Sequence, residues 1–317
     1  MKTLVIVPYY KRLGGVEMVM ERYYENTSRD IYLLELYKFK LLHYCKKQKS
    51  FRNTKLKYLF KLRYSAILSF YWQFGLISPF LSPIHKKLYF FVNSTIGYTW
   101  LKKVGFNLNL KFANSIICDG AESLDLISNS YPKMLSKTYR FNFSPDIERL
   151  KKVYSTHQSK KQKYVFVSRW SCEKGVYNIS ELDSSVLKNL LIITDNAEEA
   201  RNVYPNLNII DGQNYDEVLS HIANSYYLIS LSPKEGASLV MKEAILLNTV
   251  PLMLSENHTS NKIMNSLNSQ RLSSIEKLNV FCESAVFSSK KNKEVLKLFK
   301  DELLLENDFV KNFDDLC

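Results

Sequence analysis

The sequence predicts an α/β protein of two doubly wound, parallel-sheet domains of the Rossmann-like kind, facing a central cleft. Three observations predict it. The chain, at 317 residues, is too long for one ordinary doubly wound domain and fits two. Short apolar, β-branched runs alternate with helix-period segments from end to end, the pattern of a parallel sheet covered on both faces. A polar, charge-rich stretch at 142–163, containing Ser144-Pro145, separates two such series and reads as a linker.

In chain order, Leu4 to Val7 is the first strand. A loop carrying Gly14-Gly15 leads to a helix from about Val16 to Tyr24, and Ile31 to Leu36 is the second strand. Basic and aromatic material of helical character follows. Strands are then expected at Leu88–Val92 and Ser115–Cys118, with a helix after Ala121. Beyond the linker the alternation is cleaner. The strand candidates are Tyr164–Ser168, Leu190–Thr194, Leu207–Ile210, Tyr227–Leu231 and Val250–Leu254, with helices at Tyr215–Ala223 and Leu239–Leu247 between them. An amphipathic helix is expected at about Lys293 to Asn307. The domains implied are 1–150, 151–290 and a C-terminal helical segment, 291–317, that could pack back on the first domain. Paired domains of this kind place ligands in the cleft.

Charge is uneven along the chain. Residues 1–160 carry 27 Lys/Arg against 10 Asp/Glu, and residues 161–317 carry 17 against 21; +17 and −4 give the net +13. No Asp or Glu occurs between Glu35 and Asp119, an interval with fifteen Lys/Arg, among them Lys46, Lys47, Lys49, Arg52, Lys55, Lys57, Lys61 and Arg63. An uncharged aromatic run, Tyr64 to Ile84, comes just after them. Gln73, Gly75, Pro79 and Pro83 interrupt it, so it reads as an interfacial helix or partly buried segment, not a membrane span. Polybasic sequence beside aromatics suits an anionic membrane surface. The same residues also fit ordinary core beneath a solvated lysine face, or a nucleic-acid face, although no zinc-finger, RNA-binding or basic-zipper pattern is present. The N-terminal run is broken at Pro8, too soon for a signal peptide. Five scattered cysteines without a Cys-x-x-Cys pair read as reduced thiols in a cytosolic protein, with no structural zinc.

Two segments carry the chemistry. In the first, Tyr164–Ser168 runs into Arg169-Trp170-Ser171-Cys172-Glu173-Lys174-Gly175, which puts two cations at the C-terminal edge of a parallel strand, where open α/β sheets bind ligands. A guanidinium forks onto phosphate oxygens and an ammonium acts as a point charge, so Arg169 and Lys174 read as a diphosphate clamp. In the second, a strand ends in Ser232-Pro233-Lys234-Glu235-Gly236-Ala237-Ser238 and a helix starts near Ser238. Glu235 lies beside the anion-favouring helix start, and Glu243 lies roughly two turns along. Either carboxylate could equally be a solvated surface acid, and the cations could pair with nearby acids. The five histidines and the cysteines form no Ser-His-Asp or Cys-His arrangement legible in sequence. No Asp-x-Asp is present to hold a divalent ion, so no metal is expected.

These segments resemble those of GT-B glycosyltransferases of the retaining family 4 type, common in bacterial surface-polysaccharide pathways. Gly14-Gly15-Val16-Glu17 resembles the glycine-rich N-terminal loop of that family, and Asn142 to Leu150 the segment closing its first domain. Ser168 to Gly175 resembles its Gly-Arg-x-x-x-x-Lys-Gly motif, and Glu235 to Glu243 its Glu-x7-Glu motif. The likeness is strong over 164–255 and weak over 30–135. It implies that Arg169 and Lys174 bind the donor diphosphate and that Glu235 lies near the donor sugar. It further implies that Glu243 holds the nucleotide ribose and that the amides of Gly236, Ala237, Ser238 and Leu239 contact the donor. Gly14 and Gly15 would approach phosphate and acceptor. Asn248 stands where the family has Gly, and Asn tolerates the left-handed backbone expected there. His85 is the nearest candidate for a first-domain His facing the sugar, but its neighbours do not match.

The function this implies is transfer of a hexosyl group from a nucleotide-sugar donor to a lipid-linked saccharide acceptor in capsule, O-antigen or lipopolysaccharide synthesis. The enzyme would be cytoplasmic and peripheral on the inner face of the plasma membrane. It would need no cofactor and would bind no nucleic acid. The alternative is a non-catalytic, basic GT-B-like protein that binds polyanions, either nucleic acid or anionic lipid.

Overall fold

The computed structural model describes residues 1–7, 15–62, 64–70, 72–76, 79, 88–92, 100–118, 121–141, 145–156, 162–212, 214–232, 238–254, 271–284 and 313. The chain divides into two compact units. One comprises Met1–Arg12, Val16–Phe143 and Asn307–Cys317, and the other Ser144–Glu306 with Leu13–Gly15.

The first unit is built on an eight-stranded sheet, with β1 (Lys2–Val7), β2 (Asp30–Glu35), β3 (Lys40–Cys45), β4 (Ser50–Thr54), β5 (Ala66–Ser69), β6 (Leu88–Val92), β7 (Ser115–Cys118) and β8 (Thr138–Arg140). The spatial order is β4-β3-β2-β1-β5-β6-β7-β8, parallel except where β3 pairs antiparallel with both β2 and β4. From β1 the chain moves outward to β2, then returns to the other side of β1 as β5. The strand order therefore reverses beside β1, where ligands of open α/β sheets collect. Helix α1 (Gly15–Asn26) follows β1 and buries Val19, Met20, Tyr23 and Tyr24. Tyr23 and Tyr89 each meet the ring of Phe313 edge-on, at 5.4 and 5.2 Å between centroids, so Phe313 is part of this core.

One expectation fails here, and one pair of alternatives is decided. The basic stretch after Leu36 is a β-hairpin, β3–β4, not helix. Its residues alternate across the strand, and Lys49 makes the turn in a left-handed conformation, φ 46°, with no Gly or Asn-Gly to announce it. Of the readings left open for the aromatic run from Tyr64, interfacial helix or buried segment, its described residues take the buried one. Ala66–Ser69 is a fully buried strand flanked by β1 and β6, and Tyr64, Phe70 and Phe74 are buried with it. A central strand covered on both faces is continuously apolar, and that mimics a membrane-seeking segment. Gly75 serves packing: a Cβ there would lie 1.6 Å from the carbonyl oxygen of Gly105, in the helix α2 (Trp100–Phe112). Residues 80–87 lie outside the described residues.

The second unit holds an all-parallel sheet, with β9 (Gln162–Val167), β10 (Leu190–Thr194), β11 (Asn208–Asp211), β12 (Ser225–Ser230), β13 (Val250–Leu254) and β14 (Arg271–Leu272) in the order β11-β10-β9-β12-β13-β14. This is the two-winged, doubly wound order, with its reversal between β9 and β12. The helices α3 (Ile147–Thr156), α4 (Tyr215–Ala223) and α5 (Leu239–Leu246) bury Leu150, Val153, Leu219, Ile222, Met241 and Ile245 together with Val165, Leu228 and Met253 of the sheet. The stretch read as a linker therefore contains a packed helix. Its charges lie on the outer face of an amphipathic pattern, and only Leu150 and Val153 of α3 are buried. The helix expected at Lys293 to Asn307 lies outside the described residues. Among the described residues no helix is long and apolar enough to cross a membrane.

Candidate functional site

In the second unit the order reversal sets the C-terminal tips of β9 and β12 side by side, and both chemistry-bearing loops leave from these tips. The β9 loop carries Arg169 and Lys174. Its base is anchored by Ser168 N–H donating to the Ile193 carbonyl at 3.0 Å. Next to it the Trp170 N–H donates to Asp195 Oδ1 at 2.8 Å, which ties the loop to the tip of β10. A short 3₁₀ turn, Cys172–Lys174, then closes through Gly175 N–H to the Cys172 carbonyl at 2.9 Å.

Gly175 and Ser232 join this loop to the tip of β12. Gly175 has φ +71°, and a Cβ built there would lie 2.1 Å from the Leu231 carbonyl oxygen. Only glycine meets both the backbone angle and the approach. The Ser232 hydroxyl donates to the Glu173 carbonyl at 2.9 Å. The loop is therefore tied to the strand on each side of β9. Arg169 and Lys174 are both half-buried. Trp170 packs against the core, edge-on to Tyr204 at 6.1 Å, with its indole N–H buried and without a hydrogen-bond partner among the described residues. Two cations on a short, fixed loop at the switch point can hold a multiply charged anion without reorganising when charge builds on it.

The β12 loop leads to α5. Glu235, Gly236, Ala237 and the rest of 233–237 lie outside the described residues. Ser238 is the N-cap of α5 with an extended backbone, and Leu239 is its first residue. Glu243 is 3 % exposed and accepts a hydrogen bond at Oε1 from the Tyr215 hydroxyl. The Arg149 guanidinium lies over the Tyr215 ring, 4.6 Å from its centroid, and its Nε donates to Asp216 Oδ1 at 2.6 Å. Burial, then the Glu243 charge and this hydrogen bond, push the Tyr215 phenol far above its ordinary value, with Arg149 opposing. Tyr215 is thus a permanent donor at any physiological pH, and it fixes one oxygen of the Glu243 carboxylate. Hydrogen bonding to Arg149 holds Asp216 below the usual carboxylate range. The helix ends at Asn248 with φ +66°, the left-handed conformation expected of the residue that stands in place of Gly.

Gly15 is the first residue of α1, and Gly14 and His85 lie outside the described residues. Among the described residues no three His, Cys, Asp or Glu gather into a potential metal cluster. Sequence reasoning missed Asp195, Ser232, Tyr215 and Arg149. Asp195 and Ser232 each lie within two residues of a strand end, a place where polar side chains stitch loops. Nothing in the sequence pairs Tyr215 with Glu243, 28 residues apart.

No protein-family profile and no curated protein matches the chain by sequence. Solved structures do match in three dimensions. Sucrose-phosphate synthase from Thermosynechococcus elongatus superposes with a TM-score of 0.69 at 10 % identity, over 99 % of this chain and 98 % of that one. Anabaena HepE in complex with UDP-glucose gives 0.67 at 14 % identity, over 98 % and 96 %. WaaG, a glycosyltransferase involved in lipopolysaccharide biosynthesis, gives 0.64 at 11 % identity, over 99 % of each chain. These neighbours are GT-B proteins with two Rossmann-like domains, and at such identity the likeness shows the fold.

Proposed function

We propose that the chain is a glycosyltransferase, similar to the retaining family 4 type, that moves a hexosyl group from a nucleotide-sugar donor to a lipid-linked saccharide in surface-polysaccharide synthesis. The observation that carries this reading is the joining of the Arg169–Lys174 loop to the start of the Glu235 loop at the switch point, through Gly175 against Leu231 and Ser232 to Glu173. HepE in complex with UDP-glucose, sharing the fold, supports a nucleotide-sugar ligand.

In this reading the bond from the anomeric carbon to the diphosphate oxygen breaks, a bond to an acceptor hydroxyl oxygen forms on the same face of the sugar, and the hydroxyl proton leaves on the departing diphosphate. The sugar becomes partly cationic while the diphosphate gains negative charge. Arg169, Lys174 and the amides at the start of α5, Gly236 to Leu239, stabilise that charge; electrostatic stabilisation of this kind is usually the largest catalytic term. Glu235 orients the sugar hydroxyls and offsets the ring's positive charge. Glu243, held by Tyr215, takes the ribose hydroxyls. Gly14 and Gly15 leave room for the acceptor and phosphate. No metal is assigned a role, and the enzyme works at the inner face of the plasma membrane.

The test is a thermal-shift panel of nucleotide sugars followed by a transfer assay in the presence of EDTA. A specific donor raises the melting temperature by mass action. Arg169→Ala and Lys174→Ala each lower transfer by about 10²-fold or more with the melting temperature of the free protein unchanged. Near-normal turnover in both variants removes the clamp from the mechanism. Stabilisation by polyanions alone, with no response to any nucleotide sugar, identifies a non-catalytic binding protein instead.

A further inference from the structure

The turn joining β2 to β3, Leu36-Tyr37-Lys38-Phe39, breaks two rules of a soluble surface at once. It is a four-residue hairpin connection between the paired residues Glu35 and Lys40. Its last residue, Phe39, has φ +46°, a position that hairpins of this kind give to Gly or Asn. Phe39 therefore accepts backbone strain while more than half of the residue, 56 %, stays exposed. Tyr37, two residues earlier, is 59 % exposed. Lys38 and Lys40 alternate with these two rings and are exposed as well. A left-handed backbone at an exposed Phe39, with a second exposed aromatic residue two positions away, signals a surface shaped for a partner.

We propose that this turn is the edge by which the protein docks on an anionic lipid bilayer, with Tyr37 and Phe39 entering the headgroup layer and Lys38 and Lys40 meeting lipid phosphates. Charge complementarity selects that partner. The turn opens an interval without a single Asp or Glu as far as Asp119. At the far end of the same hairpin, Lys46 donates to the Thr27 carbonyl and Lys49 pairs with Glu25 at 3.3 Å. At the turn, Lys38 pairs with Glu35 at 3.4 Å. A recess of about 280 Å³ lies at its foot, lined by Glu35, Lys38 and Lys40 alongside Phe51 and Asn53 of β4, so a headgroup phosphate there meets two lysines against one carboxylate. Aromatic rings with flanking lysines suit the interfacial layer of a bilayer. A nucleic-acid strand would call for a track of cations along a groove, and a convex four-residue turn provides no such track.

The position of the turn ties docking to the proposed reaction, and only this link rests on the glycosyltransferase reading. β1 and β2 are parallel, and Leu36 N–H donates to the Val7 carbonyl at 2.9 Å. The turn therefore lies on the same C-terminal edge from which β1 leads toward Gly15. A bilayer held there presents its lipid-linked saccharides to that edge.

The experiment is flotation of the whole protein with vesicles of phosphatidylglycerol and phosphatidylcholine, against phosphatidylcholine alone, at low and high salt. Binding is expected to the anionic vesicles only and to weaken with salt. Phe39→Gly removes the ring and relieves the left-handed strain. It should leave the melting temperature unchanged or higher while lowering vesicle affinity about tenfold or more. Lys40→Gln should lower it about fivefold. Equal vesicle binding by wild type and a Tyr37→Ser, Phe39→Gly double variant overturns the proposal. So does absence of vesicle binding, or turn-dependent binding to single-stranded DNA in preference to vesicles. Donor-induced thermal stabilisation, measured on the same variants, separates the two readings. If it persists while vesicle binding ignores the turn, only the docking edge falls. If vesicle binding depends on the turn and no nucleotide sugar stabilises the protein, only the transfer reading falls.

Discussion

Replacing Gly175 with Ala tests whether the two loops of the second unit form one rigid piece. The left-handed backbone at this position, φ +71°, costs an L residue about 1–2 kcal/mol. The added Cβ lies 2.1 Å from the Leu231 carbonyl oxygen and 2.5 Å from its carbonyl carbon. Ordinary carbon–oxygen contacts begin near ~3.3 Å, so the loop and the tip of β12 must part by about 1 Å. Forced displacement of packed groups typically costs about 1–3 kcal/mol. Together these predict a loss of roughly 2–5 kcal/mol, or a fall in melting temperature of roughly 5–15 °C for a domain of this size. The parting also moves Lys174 relative to α5, and a shift of about 1 Å in a catalytic constellation costs on the order of 10²-fold in rate. Thermal melts give the first quantity. Turnover measured well below the variant's melting temperature gives the second. A variant that melts within about 2 °C of wild type and turns over normally would refute the close approach and the coupling inferred from it.

Two further predictions concern the Tyr215 network and alkaline pH. Tyr215→Phe leaves the buried Glu243 without its hydroxyl donor, so stability falls by about 1–3 kcal/mol and the KM for donor rises more than kcat falls; a variant with unchanged stability and donor KM sinks the link. Burial foremost raises the phenols of Tyr215 and Tyr164, Tyr215 further by the Glu243 charge and Tyr164 further by the Cys282 thiol beside it. Folded values above the unfolded 10.0 mean that their contribution is complete below pH 10 and is lost as pH rises beyond it. Each then removes up to about 1.4 kcal/mol per pH unit. Urea midpoints measured from pH 8 to 11.5 should be flat and then fall steeply from about pH 10; full phenolate absorbance in a still-folded protein at pH 11 contradicts this.

The legible parts of the fold are those where local and tertiary demands agree. Ser115–Cys118, Leu190–Thr194 and Val250–Leu254 are short apolar runs, and each is a strand within the expected limits because each is sandwiched in a parallel sheet. The hairpin β3–β4 was hidden because Lys46 to Lys49 contains no turn residue, and the left-handed backbone falls to a lysine. The buried strand Ala66–Ser69 was hidden by its neighbours, since Tyr64, Phe70 and Phe74 pack inward where the basic sequence before them suggested a surface.

The candidate site was legible in its charges and opaque in its supports. Arg169 and Lys174 announce themselves by spacing alone, but spacing cannot say whether two cations on a loop are held still. That depends on groups without any motif: Asp195 receives the Trp170 amide from one neighbouring strand, and Ser232 donates to the Glu173 carbonyl from the other. Both contacts exist because β9 lies between β10 and β12, an adjacency set by sheet order and not by sequence distance. The distinction matters chemically. Mobile cations would follow the charge of a bound diphosphate and bind ground state and transition state alike, which strengthens binding without raising the rate. Cations fixed from both sides favour the state in which the leaving group carries its greatest charge, so the supports around this loop decide whether it can serve as more than an anion site.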